Sequence, residues 1–400
     1  MHDRTIRTLA LIRTFAAVLL VLGAVPAATA APASTAPTGP EQLTAPFIGG
    51  EGGYAVYRIP SLVVTRAGTL LAFAEGRLNK SDHAENDVVL RRSGDGGRTW
   101  GPVQVVAEDG RNCLNNPTAV VLRGSGRILL MYQRYPLGKH ERQVKPGVAG
   151  DDTCLCFVAA SEDDGRTWSK PADVTPQVKR PTVATSLASG PGVGIELARG
   201  KHAGRILFPM NQGPLSDCQV YAAYSDDGGR TWRYGDLAPA GAAGRGNEVQ
   251  VVELSDGRVM LNSRGSAGKR FRKVAVSGDG GQTWSPLRDD EALPESQCQA
   301  SILRYDAPAA AGTTRPAGNG GNGTILFVNP AVTQGRSRGT VRLSEDDGAT
   351  WTASRELVPG AFAYSCLAVL PDASVACLYE TDGYQRIALA RFTLDWVRGR

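Results

Sequence analysis

From about Gly49 the chain repeats one pattern of apolar and polar positions. An apolar run, a glycine-bearing turn and a second apolar run come first: "SLVVTRAGTLLAFAEGR", "TAVVLRGSGRILLMYQR", "GIELARGKHAGRILFPMNQ", "VQVVELSDGRVMLNSR" and "ASILRYD…GTILFVNP". A polar loop follows, then a third run ending in serine: "VVLRRS", "CFVAAS", "VYAAYS", "KVAVS" and "TVRLS". Short runs of this kind, bounded by Gly and polar turn residues, predict β-strands. Each third strand runs into an octapeptide: "SGDGGRTW" (93–100), "SEDDGRTW" (161–168), "SDDGGRTW" (225–232), "SGDGGQTW" (277–284) and "SEDDGATW" (344–351). The pattern Ser-x-Asp-x-Gly-x-Thr-Trp holds in all five.

The octapeptide has the chemistry of a turn. Ser and Asp can accept from nearby backbone N–H groups, Gly supplies a positive φ, and Thr-Trp opens the next strand with a large apolar anchor. A calcium loop of the EF-hand kind would need further oxygen ligands and a late Glu, which these stretches lack. The boxes recur every 52 to 68 residues, and the tail adds a sixth unit without one, "YSCLAVLPDASVACLYE" followed by "RIALARFTLDW". Strand, turn, strand, loop, strand, box, strand, six times over, predicts an all-β fold. Its form is a six-bladed β-propeller of four-stranded antiparallel blades, five of them with an Asp box. A β-sandwich does not account for a repeat of this length. Alternating strand direction then puts the boxes at one end of the blades. The start of each first strand and the loop after each second strand fall at the other.

Composition adds the ends of the chain and its setting. Residues 1–30 combine Arg4, Arg7 and Arg13, the apolar run "FAAVLLVLGAV" and the small-residue exit "ATA", a secretory signal cleaved after Ala30. The run is too short to span a bilayer, and no later segment is apolar enough to do so. Residues 31–44 are mostly Ala, Pro and Thr and read as a flexible lead-in, leaving 45–400 as the propeller. This organisation predicts a secreted, extracellular monomer with no membrane contact once the signal is removed. The formal net charge is +5, and the signal's three Arg and one Asp leave the remainder near +3. Arg and Lys are scattered, which argues against a nucleic-acid surface and suits a small anionic ligand. Seven Cys follow the signal, an odd number whose pairing spacing cannot decide. With no CxxC or HExxH and three widely separated His after residue 30, neither a metal site nor any cofactor is expected.

Candidate chemistry lies at the box-free end. Polar residues flanking otherwise apolar strands there are Arg58 in "YRIP", Arg77 and Asp82 in "AEGRLNKSDHAEND", Glu248 in "GNEVQVV" and Arg264 in "LNSRGS". Arg336 or Arg338 in "VTQGRSRGTVRLS", Tyr364 in "AFAYSCL" and Glu380 in "CLYETDG" complete the set. The inner strands of a propeller converge on its axis, so residues from units one, four, five and six can share one mouth. Several arginines meet there only if an anion or carboxylates neutralise them, and planar guanidinium forks suit a carboxylate ligand.

Taken in order, "YRIP", five Asp boxes, "GNE…LNSR", the Arg before "GTVRLS" and the "YS…LYE" tail resemble the exo-sialidases (neuraminidases) of glycoside hydrolase family 33, over roughly Gly49 to Trp396. The resemblance implies hydrolysis of terminal α-linked sialic acids on glycoproteins, glycolipids or oligosaccharides. It implies that Arg58, Arg264 and Arg336 clamp the sialic acid carboxylate and that Arg77 reaches the sugar's hydroxyls. Asp82 would be the general acid/base, Tyr364 the nucleophile, Glu248 the base that activates it, and Glu380 the carboxylate that holds Arg58. Arg338 stands as an alternative to Arg336, and Glu85 or Asp87 to Asp82. A neutral phenol suits this substrate, because a carboxylate nucleophile would meet the like charge that sialic acid carries on its anomeric carbon. A glycosyl-tyrosine opened by water would retain configuration. The same residues would serve a trans-sialidase or an intramolecular one releasing an anhydro sugar. A non-catalytic sialic-acid-binding propeller would be expected to lack Tyr364, Glu248 or Asp82. The excursion "YDAPAAAGTTRPAGNGGNGT" (305–324) is expected at the box end, away from the mouth.

Overall fold

The computed structural model describes residues 39–265, 269–306 and 323–400. The expected signal at 1–30 and all but the ends of the 305–324 excursion lie outside them. Among the described residues almost every regular element is a strand; the two α-helices there, Thr175–Val178 and Leu394–Arg398, are single turns. The fold is an all-β propeller of four-stranded antiparallel sheets.

The first unit meanders through Val56–Val64, Leu70–Arg77, Asn86–Ser93 and Gln104–Ala107, and the second through Cys113–Val121, Ile128–Tyr135, Leu155–Ser161 and Ala172–Asp173. The inner strand of the third is broken into Leu187–Ser189 and Ile195–Glu196, which both pair with Ile206–Gln212. The chain between them, Gly192–Val193, lies parallel to Thr118–Ala119 of the second unit. The fourth and fifth units are regular, starting with Gly246–Glu253 and Ser301–Arg304. Neighbouring inner strands follow one another in order, and Ser365–Val369 of the last unit returns to Val56–Val64 of the first, which closes the ring.

Two expectations change. The hydrogen-bonded sheets among the described residues number five rather than six, because a parallel bridge between Asn86 and Cys113 joins the eight strands of the first two units into one sheet, and Gly192–Val193 adds a ninth. The lead-in expected to run to Thr44 ends earlier. Glu41–Ile48 is a strand that pairs antiparallel with Arg386–Phe392 and supplies the outer strand of the last sheet. Its burial alternates, with Phe47 fully buried against Tyr57 and Leu389, so a two-residue period hidden in a Pro/Thr-rich context gains an apolar seat.

Each octapeptide is a closed hydrogen-bonded turn. In the second, Asp163 Oδ1 accepts from the N–H of Arg166 (3.0 Å) and of Thr167 (2.9 Å), and Oδ2 accepts from Thr167 Oγ1 (2.7 Å). Ser161 Oγ donates to Asp163 and accepts the N–H of Gly165, whose φ of 76° a side chain would resist. The tryptophans then pack inward: Trp168 sits edge-on to Phe73 of the neighbouring unit, and Trp232 and Trp284 are buried. Across one strand pair, Arg77 is opposite Asn86 and Leu70 is opposite Ser93. Arg77 and the box are therefore at opposite ends of the blade, about 24 Å apart at 3.4 Å per residue. All seven cysteines are buried free thiols.

Candidate active site

The box-free end holds a cavity of about 290 Å³, just below the usual 300–1,000 Å³ of small-ligand sites. Arg58, Arg77, Asp82, Glu248, Arg264, Arg336 and Tyr364 all line it. Their placement begins with the backbone. Strand Val56–Val64 shifts register between Arg58 and Ser61, at Ile59, whose φ is 61°. A β-branched residue in this conformation is strained and needs its surroundings to hold it there. Glu380 does so. Its Oε1 accepts both Arg58 Nε (2.7 Å) and Ile59 N–H (2.8 Å), and its Oε2 accepts the N–H of Tyr364 (3.3 Å). A fully buried carboxylate thus fixes Arg58, the bulge beside it and the start of the tyrosine strand.

Arg77 is 1% exposed and has acceptors for four of its five N–H groups. Nε and one terminal nitrogen go to Glu75, while the other goes to Asp82 (2.6 Å) and the Ser81 carbonyl (3.4 Å). Glu75 is fully buried and also accepts the Asn116 N–H (2.7 Å). The Asp82 side chain is 66% exposed, so it faces the cavity. Partial burial pushes its pKa up, but the charge and hydrogen bond of Arg77, then the charge of Arg58 at 3.6 Å, outweigh this and hold it below the usual carboxylate range. Its competitors are elsewhere: Glu85 pairs with Arg111 and Asp87 accepts from Tyr54.

Tyr364 donates its phenol proton to Glu248, and Arg264 reaches both, at 2.8 Å from Glu248 Oε2 and 3.2 Å from Tyr364 Oη. Burial, then the Glu248 charge, raises the phenol's pKa well above its ordinary value, while Arg264 and Arg336 pull the other way. Arg336 has its guanidinium carbon 5.1 Å from the centre of the Tyr364 ring. Arg338, two residues on, turns outward and pairs with Glu356 on the surface. Strand alternation alone would put residues two apart on one face; the positive φ at Arg338 and the register shift between Ser337 and Gly339 turn its side chain away instead.

The cavity also has a wall that the sequence reading did not supply. Asn115, Asn116, Tyr135 and Glu141 come from the second unit, and Ser186, Asn211, Leu215 and Cys218 from the third. One signal for it was available. "LNNP" stands in the second unit where "YRIP" stands in the first, with the same register shift and with Asn116 at φ 54°. Aligning the units on that proline would have paired Asn115 with Arg58.

The chain matches the BNR repeat-like domain over residues 68–377. It is 30% identical to the exo-alpha-sialidase of Aspergillus fumigatus, with 86% of each chain covered. This chain belongs to the BNR-repeat sialidase family. A sialidase of Micromonospora viridifaciens is 39% identical to this sialidase homologue over 96% of its length, which spans 59% of the Micromonospora protein. Among solved structures, the Hadza microbial sialidase Hz136 superposes with a TM-score of 0.75 at 29% identity, covering 87% of this chain and 68% of that one.

Proposed function

We propose that this protein is a secreted, retaining exo-α-sialidase, acting as a monomer on terminal α-linked sialic acids of glycoproteins, glycolipids or oligosaccharides. The observation that carries the reading is the hydrogen-bonded Tyr364–Glu248 pair facing Arg58, Arg264 and Arg336 in one cavity. Arg58 and Arg264 already have carboxylate partners, whereas Arg336 has none within 4 Å among the described residues. A ligand carboxylate brought to the three arginines completes the charge balance and sets the anomeric carbon toward Tyr364.

In the first step Tyr364 Oη attacks that carbon as its proton passes to Glu248. The bond to the aglycone oxygen breaks, and Asp82 gives that oxygen a proton. Burial keeps the phenol protonated at rest, so Glu248 must take the proton as attack proceeds. Water then attacks the glycosyl-tyrosine, giving its proton to Asp82, while the phenolate recovers its proton from Glu248. Asp82 is ionised at rest. A carboxylate between the arginines offsets the Arg58 charge and lifts Asp82 toward the protonated form that the first step needs. In this reading Arg77 supports Asp82 and, with the N–H that Glu75, Asp82 and Ser81 leave over, reaches the sugar's hydroxyls.

The nine-stranded sheet counts as two blades joined at one bridge, giving six blades, five with Asp boxes. Residues 1–30 act as a secretory signal, with Glu41–Ile48 belonging to the propeller that follows. The test is incubation with an α-sialoside followed by NMR. Free sialic acid appearing first as the α-anomer supports the reading. An anhydro or transferred sugar as the main product shifts it to the trans-sialidase alternative, and no release from mildly acidic to neutral pH refutes it.

A further inference from the structure

The turn after the Glu380 strand, Asp382–Tyr384, has three successive residues in left-handed conformation, with φ of 51° at Asp382, 61° at Gly383 and 69° at Tyr384. Only the middle one is a glycine, so the other two are strained and something must hold them. Arg386 pairs with Asp382, Thr381 Oγ1 donates to the Ala361 carbonyl (2.8 Å), and the N–H of Gln385 reaches Asp382 O (3.2 Å). The turn so held delivers one side chain to the arginines. The Tyr384 ring covers the face of Arg58, its centre 4.1 Å from the guanidinium carbon, and its hydroxyl accepts from Arg336 NH1 (3.0 Å). Tyr384 does not line the main cavity and sits behind these two arginines.

The chemistry of these contacts differs from that at the other arginines. Glu380 and Glu248 hold Arg58 and Arg264 by opposite charge, which offsets part of the field that a ligand carboxylate would feel. Arg336 is held at the Tyr384 hydroxyl and, weakly, at the Gln297 carbonyl (3.5 Å), both neutral. Neutral acceptors fix the fork while leaving its charge uncancelled. We infer that Tyr384 is a positioning residue that sets Arg58 and Arg336 as a pair, and that its neutrality leaves the charge of Arg336 unoffset toward a carboxylate ligand. The inference rests on the sialidase reading for the identity of that ligand and on contacts alone for the positioning.

The experiment compares Tyr384→Phe, Tyr384→Ala and Tyr384→Glu with the unaltered protein by sialoside kinetics and by crystallography. Loss of the hydroxyl in the Phe variant is expected to raise KM about threefold and loss of the ring as well about tenfold, with kcat within about twofold, because the carboxylate is bound alike in ground and transition states. The Glu variant keeps an acceptor but adds a negative charge, and its KM should exceed that of the Phe variant by roughly tenfold or more. In an Arg336→Lys background the Phe substitution should add nothing to KM. An unchanged KM in the Phe and Ala variants, a Glu variant as good as the unaltered protein, or full additivity with Arg336→Lys overturns the inference. If the unaltered protein is inert toward sialosides, the functional reading fails on its own. The crystallographic arm then decides this one: displaced Arg336 and Arg58 side chains in the Phe or Ala variant sustain it, and unmoved ones overturn it.

Discussion

Replacing Asp163 of the second box by Ala separates folding from chemistry, because the box lies at the end of the blade away from the arginines. The substitution removes an acceptor of two backbone N–H groups, the Thr167 hydroxyl and the Ser161 hydroxyl. At about 0.5 kcal/mol each, the low end of the range for bonds this accessible to water, the loss is about 2 kcal/mol. A protein of this size should then melt a few degrees lower, roughly 2–4 °C. The ionic share can be read from pH. Hydrogen bonds from Thr167, first its hydroxyl and then its N–H, bring the Asp163 carboxyl down to about 2. A depressed folded pKa contributes stability above the unfolded value of about 3.9 and loses it as pH falls through the folded one. Screening at this solvent-facing site reduces that share to roughly 1 kcal/mol. Denaturant unfolding of both proteins at pH 7 and pH 3 should show the difference shrinking at the lower pH by about half of the ionic share, because only the unfolded carboxyl is mostly protonated there. Sialoside kcat/KM at pH 7 should stay within about twofold, since no cavity residue is touched. Unchanged stability with lost turnover would refute the reasoning that the box and the site occupy opposite faces.

Three further outcomes follow from the site. Tyr364→Phe removes the oxygen proposed to attack and should lower kcat by roughly a hundredfold or more, with a melting shift of no more than a few degrees; full activity would remove Tyr364 from that role. Arg336→Ala should raise KM by about thirtyfold, near 2 kcal/mol for a lost charge-assisted contact, whereas Arg338→Ala should change it little; the reverse order would exchange the two residues. Asp82 lies below the usual carboxylate range because Arg77 and Arg58 overcome the effect of its burial. The kcat/KM profile, which reports the free protein, should therefore lose its high-pH limb earlier than kcat, which reports the complex with the Arg58 charge offset. A kcat limb at the lower pH would contradict that account.

Much of the fold was legible because its signals are local. A Gly between two apolar runs makes a hairpin, and a Ser and an Asp two positions apart close a turn, whatever the rest of the chain does. The strand Glu41–Ile48 escaped because its partner, Arg386–Phe392, lies at the other end of the chain. In the site, Arg58, Arg264 and Tyr364 stood out as polar residues beside apolar strands. Glu75 did not, although it is buried and holds Arg77, because a carboxylate inside a strand looks like a solvent-facing residue until a neighbouring unit covers it. Asn115 could have been found from "LNNP", which stands where "YRIP" does in the first unit, whereas nothing near Glu141 in sequence indicates that the second unit faces the same mouth.

The sequence by itself determined the repeat, the turn chemistry of the boxes, the end of the blades where chemistry could sit and the residue types available there. These depend on alternation and spacing within a few residues, which survive any tertiary arrangement. The family resemblance had already paired Glu380 with Arg58, 322 positions apart; the tertiary structure alone decided that Glu248 answers Arg264 and a neutral tyrosine answers Arg336. Closing a ring brings the first and last units side by side, and charge pairing follows distance in space, which spacing along the chain does not encode.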